Sequence, residues 1–111
     1  MYIAVLDEVG DFMVPTLVAH SAINAHLHFA DIDKLGTQAF EDYQDWLENS
    51  FKKVTLRVNR KEFDKIAALP HVWLGHENTT LEGTPSCVIV CPMDDDARPN
   101  VLKYAKMWKP V

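Results

Sequence analysis

The chain has 111 residues, 48% of them hydrophobic and 24% charged, with a formal net charge of −5. That is the size and balance of one globular domain with a single core, and it excludes a disordered segment. No apolar run reaches the roughly 18 residues of a membrane-crossing helix. An acidic total also argues against a nucleic-acid partner unless the bases gather on one face.

The bases are in fact unevenly placed. Ten of the 11 lie after residue 51, against seven of the 16 acids. A basic face on an acidic protein is one reading of this; solvated helix faces scattered around the fold are the other. The start, Met1-Tyr2-Ile3 followed by Asp7 and Glu8, lacks the basic opening and long apolar run of a secretory signal, so a cytoplasmic location is expected.

In chain order, residues 2–6 read as a short apolar strand closed by Asp7, Glu8 and Gly10. A helix from about residue 14 to Phe29 follows, its apolar stripe interrupted by His20, Ser21, Asn24, His26 and His28. Sites in open α/β sheets lie at the carboxyl ends of strands, so this first strand-to-helix unit is the first place to look for chemistry. Residues 31–36 are turn-rich. Thr37 is placed to cap a second helix, about Gln38 to Glu48, with Phe40, Tyr43, Trp46 and Leu47 as its core stripe. Residues 53–58 alternate as a half-buried strand, with Val54, Leu56 and Val58 inward. Asn59 and Glu62 make a capping box for a short helix carrying Phe63, Ile66 and Leu69. His71 to Leu74 is a third strand, and Ser86 to Cys91 a fourth, apolar enough to be buried on both faces. Asp94, Asp95 and Asp96 precede a final helix holding Val101, Leu102, Tyr104, Ala105 and Trp108. The expected fold is α/β, a single domain over residues 1–111, with a four-stranded mixed sheet flanked by helices on both faces and strands three and four as antiparallel neighbours. Cys87 and Cys91, four apart on one strand, lie roughly 13 Å apart and cannot pair, so they read as small core residues.

Several of these segments resemble the archaeal/eukaryotic-type (type 2) peptidyl-tRNA hydrolase family: Trp46-Leu47-Glu48, the Lys53–Val58 strand, the Gly83-Thr84-Pro85-Ser86 turn, and the apolar strand closing in Pro92. The resemblance spans nearly the whole chain in element order. It implies a peptidyl-tRNA hydrolase-like fold and hydrolysis of the ester between a peptide, or an N-blocked amino acid, and tRNA. The family's first helix begins Lys-Ile-Ala-Ala-Gln-Cys-Ser-His-Ala, and Thr16 to Asn24 falls on it without a gap. Thr16 then stands where the family has lysine, His20 where it has glutamine, and Ser21 where it has cysteine. Glu77 falls on the aspartate of the family's Asp-Ala-Gly-Arg-Thr segment, whose glycine and arginine are absent here. Gly83 to Ser86 keeps both hydroxyls of the family's Gly-Ser-x-Thr.

Ester hydrolysis needs an activated water and donors for the oxyanion. On the aligned positions His20 is the candidate base, Glu77 its orienting carboxylate, and Ser86 the third catalytic group. Thr16, Ser21, Asn24, Thr80 and Thr84 are the candidate substrate contacts. The bland alternatives are a solvent-facing helix histidine and a solvated loop acid. His20, Asn24 and His28 follow at i, i+4 on one helix flank, but His20 and His28 are roughly 12 Å apart, too far to share a zinc ion. No Gly-rich phosphate loop, nucleophile elbow or Cys-His pairing is present, so neither cofactor nor metal is expected. Trp46 reads as core, while Trp73 is placed to line a pocket. The partners expected are tRNA and, through Tyr104, Trp108 and Val111, a second copy of the chain. A catalytically inactive member of the same fold, binding a protein or small ligand, is the alternative.

Overall fold

The structure, a computed structural model, describes residues 1–76 and 83–109. Strand β1 (Tyr2–Leu6) is buried along nearly all its length because it sits in the middle of the sheet. It pairs in parallel with β2 (Val54–Val58) on one side and antiparallel with β4 (Pro85–Val90) on the other. Beyond β4 lies β3 (Val72–His76), antiparallel to it as expected. The sheet order is β3-β4-β1-β2-β5.

The fifth strand corrects the four-stranded expectation. The final helix α5 spans Asn100–Lys103 and stops there. Lys106–Met107 instead forms β5, antiparallel to Arg57 and Leu56 of β2. The Trp108 amide then donates to the Thr55 carbonyl at 2.9 Å. The exposed backbone edge of β2 outcompetes a helical continuation whose periodicity was real but short. The triple aspartate precedes that helix as expected: Asp95–Ala97 is a separate 3₁₀ turn, and Pro99 is the residue before α5.

The first helix, α1, runs from Val14 to Phe29 as its periodicity predicts, with Pro15 in its first turn, where no N–H is missed. A one-turn helix α2 (Ile32–Leu35) occupies part of the turn-rich connection, the Asp31 side chain accepting from the Asp33 amide at 3.0 Å. Helix α3 (Thr37–Asp45) begins at Thr37, so Thr37 is not its cap. Gly36, at φ 89°, holds that position in a conformation open to glycine. A π-turn over Trp46–Ser50 ends at Phe51, whose φ is 53°. Helix α4 (Arg60–Ala67) carries the expected capping box between Asn59 and Glu62.

Strand registers assign the two faces. Gly75, Cys87 and Val5 stand opposite one another, as do Trp73, Ile89 and Ile3. These point toward α1, since a Cβ on Gly75 would meet Ser21 and Cys87. α3 shares that face, with Tyr43 edge-on to Phe29 at 5.3 Å and the Cys91 thiol donating to the Ala39 carbonyl. Leu6, Leu56, Val58 and Val88 point the other way, where α4 packs under β1, β4 and β2 with Phe63 and Ile66 buried. Both cysteines are free and buried. Among the described residues no helix is long and apolar enough to cross a membrane.

Candidate active site between the first helix and the sheet edge

The flank of α1 that leans over β3 carries Thr16, His20, Asn24 and His28, one turn apart. His20 and Asn24 form one wall of a cleft of about 290 Å³, and Trp73, Leu74, Gly75 and His76 of β3 form the other. The cleft lies level with Val5, through the pairings of Gly75 with Cys87 and of Cys87 with Val5. That is the carboxyl end of β1, where an α/β sheet is expected to act. The sheet brings β3 there by pairing alone; nothing local in residues 72–76 announces it.

The Asn24 amide donates to His20 Nε2 at 3.2 Å, which leaves the imidazole proton on Nδ1. Both partners reach solvent, so water enters between them at little cost. At the far end of the flank, His28 lies against Trp73, ring centroids 5.4 Å apart, and fixes the indole as the cleft's aromatic surface. His76 closes the opposite end, its Nδ1 bonded to the Gly83 carbonyl at 2.5 Å. Thr84 follows directly and is exposed.

Beneath His20 the packing is unusually close. Ser21 is fully buried, and its Oγ has no hydrogen-bond partner among the described residues. A Cβ on Gly75 would come within 1.9 Å of that oxygen. Glycine here is what allows α1 to settle onto β3. Burial pushes the neighbouring Cys87 thiol up to about 12. A thiol so placed is inert as a nucleophile near neutral pH.

The sequence-derived site residues therefore separate. Thr16, His20 and Asn24 share one flank, and His20 and Asn24 line the cleft. Ser21 is under the helix, a packing residue and no substrate contact. Ser86 is buried on β4, where the register against β3 is irregular, and is absent from the cleft lining. It is not in the cleft with His20. Glu77 and Thr80 lie outside the described residues. Sequence reasoning passed over His76 and Gly75, whose place depends on strand pairing, and named Trp73 by its position beside Leu74.

The cations concentrate elsewhere. Arg57 Nη2 bonds Asp11 at 2.6 Å and the Lys109 carbonyl at 2.9 Å, at the turn entering α1. Arg60 meets Glu8 at 3.3 Å. From β3 to β2 is three strand spacings, roughly 14 Å. A larger hollow of about 330 Å³, at the amino end of β1, is ringed by Asp42, Asp45, Asp94 and Asp95 and has no histidine in its lining. Lys52 and the Met1 amino terminus also line it, and burial lowers the pKa of that amino group below its ordinary value. Among the described residues no group of histidine, cysteine or carboxylate side chains is placed to hold a metal ion. Compared with family models and with curated proteins, the chain matches none.

Proposed function

We propose that the chain is a peptidyl-tRNA hydrolase-like esterase, cleaving the ester between a peptide or N-blocked amino acid and tRNA, with His20 as the base. The observation that carries this is the His20–Asn24 pair on the rim of the cleft, 3.2 Å apart and open to water, on the helix where the family resemblance places the site. In the reaction a water displaces the Asn24 amide from Nε2 and gives His20 its proton. Its oxygen attacks the ester carbonyl carbon. The tetrahedral intermediate then breaks the bond to the ribose oxygen, which takes the proton back from His20 and leaves as a hydroxyl. Rotation of Asn24 presents its carbonyl to the imidazolium while the charge lasts. Arg57 and Arg60, at the same end of the sheet, are the cations in reach of the RNA backbone once they exchange their carboxylate partners for phosphate. Binding then weakens steeply with salt. The test is release of an N-blocked amino acid from aminoacyl-tRNA at low salt. The wild type releases it and His20→Ala loses about 100-fold or more. An unchanged rate in that variant, or no release by the wild type, overturns the reading.

A second reading has its own observation. From Phe12 to Ala30 the chain carries no Asp, Glu, Lys or Arg, and Ile23 and Leu27 on α1 are 66% and 65% exposed, with Phe12 in the 3₁₀ turn before it 76% exposed. At roughly 200 Å² per large apolar side chain these three expose about 400 Å², half of what one partner contributes to a stable interface. On a chain with charge −5, a charge-free face is the one that a second copy meets without repulsion. In this reading the protein is a non-catalytic, self-associating binding module, and Ile23→Glu converts a dimer to a monomer in sedimentation equilibrium. A monomeric wild type removes it.

A further inference from the structure

The cleft runs along β3, at one edge of the sheet. β3 is the terminal strand of the sheet, and among the described residues no strand pairs with its far side. The Cys91 amide donates to the His71 carbonyl, and the register carries on from there, Trp73 opposite Ile89 and Gly75 opposite Cys87. In an antiparallel ladder the hydrogen-bonding direction alternates residue by residue. Residues 71, 73 and 75 therefore turn their amides and carbonyls toward β4, while Val72 and Leu74 turn theirs outward.

Edge strands are normally shielded by charge, proline or shortness. The opposite edge of this sheet follows the rule: β5 is two residues, one of them Lys106. β3 has five residues, Val-Trp-Leu-Gly-His, with no charged side chain of Asp, Glu, Lys or Arg and no proline. The only interruption is an irregularity at Gly75/His76, at its end. Above this open edge stands the polar flank of α1, whose His20 and Asn24 face Trp73 and Gly75 across the cleft.

We infer that the free edge of β3 is a docking strip for an extended peptide, which adds a sixth strand to the sheet through Val72 and Leu74. Main-chain bonds to those two residues supply affinity without regard to sequence, as in other cases of strand addition. Peptide residues opposite Trp73 and Gly75 then point their side chains to the α1 face, one of them onto the indole at the rim of the cleft that His20 and Asn24 line. A strip of this kind reads the presence of a peptide and little of its sequence. Its identification as the acyl part of the substrate rests on the hydrolase reading; the docking itself rests on the strand edge.

The probe is an N-acetylated, C-amidated Thr-Val-Thr-Val-Thr pentapeptide added to the full chain, followed by amide NMR shifts and hydrogen exchange. Binding is expected to shift and protect the Val72 and Leu74 amides and to change Trp73 fluorescence. N-methylation of alternate peptide residues in the pairing register should weaken binding at least tenfold, and methylation of the residues between them should not. Leu74→Pro removes one outward N–H at a site where an edge strand tolerates proline, and should weaken binding with the fold intact. No response at Val72 and Leu74 up to millimolar peptide overturns the inference, as do equal effects of both methylation registers. Protection of these amides that rises with protein concentration alone would also overturn it, by assigning the edge to a second copy. Hydrolysis separates the two ideas. Peptide docking without ester cleavage leaves the strip standing and removes the enzyme. Cleavage with the same KM for N-acetyl-aminoacyl-tRNA and pentapeptidyl-tRNA, and no amide response, does the reverse.

Discussion

The two faces of the sheet are built to different standards. Under it, α4 follows every local rule: its capping box is complete, Phe63 and Ile66 are buried, and Leu56 and Val58 point down to meet them. Above it, α1 ignores several. A buried serine hydroxyl lacks a partner among the described residues, a glycine is pressed against it, and large apolar residues stand in solvent. Chains tend to break local rules where they act and to keep them where they merely fold. The contrast makes the α1 face the place where variants are expected to separate activity from folding.

Variants on the two faces sharpen or break that contrast. The largest effect is expected from His20→Ala, which removes about 100-fold or more of ester cleavage while leaving the denaturation midpoint close to wild type. A variant that unfolds would make His20 a structural residue. Next is Gly75→Ala. Its methyl would need the space that Ser21 occupies, so urea unfolding should show a loss of about 2–3 kcal/mol, and an unchanged midpoint would mean that α1 is free to lift.

The buried thiols set an alkaline limit. Cys87 is raised from 9.0 to about 12 by burial, and Cys91 likewise, with the nearby Asp42 charge adding to the second. Between those values the unfolded chain has released protons that the folded chain still holds. The stability contributed by the protonated thiols is complete below pH 9 and lost as pH climbs toward 12. Cys87 alone contributes a slope of about 1.4 kcal/mol per pH unit in that window. Urea midpoints at pH 8 and 10 should therefore diverge less in Cys87→Ala than in wild type.

On the α4 face, Asn59→Ala should cost about 1 kcal/mol by removing the capping box, readable as a lower midpoint with no change in ester cleavage. The smallest effect belongs to Ser21→Ala. Deleting a buried hydroxyl with no well-formed bond should leave stability within about 0.5 kcal/mol of wild type or raise it slightly. A loss of several times that would reveal a partner for Ser21.

The extent of α1, the Asn59–Glu62 cap, the inward set Leu56 and Val58, and the buried Ser86–Cys91 segment were legible in the sequence. Each is governed by neighbours within a turn or by strand alternation. The histidines and Asn24 on α1 were legible for the same reason, since i, i+4 spacing on a helix is enough to align them. That Ser86 stays out of the cleft lining was not, because the place of β4 depends on its register against β1 and β3, and a shift of one residue would turn its side chains over. Nor was β5 legible, because two residues with little strand character become a strand when β2 offers them an edge. Gly75 and Trp73 owe their place beside His20 to the same long-range pairing. Local periodicity determined which elements form and which side chains share a flank. Hydrogen bonding between distant segments decided which flanks meet, and so where the cleft is.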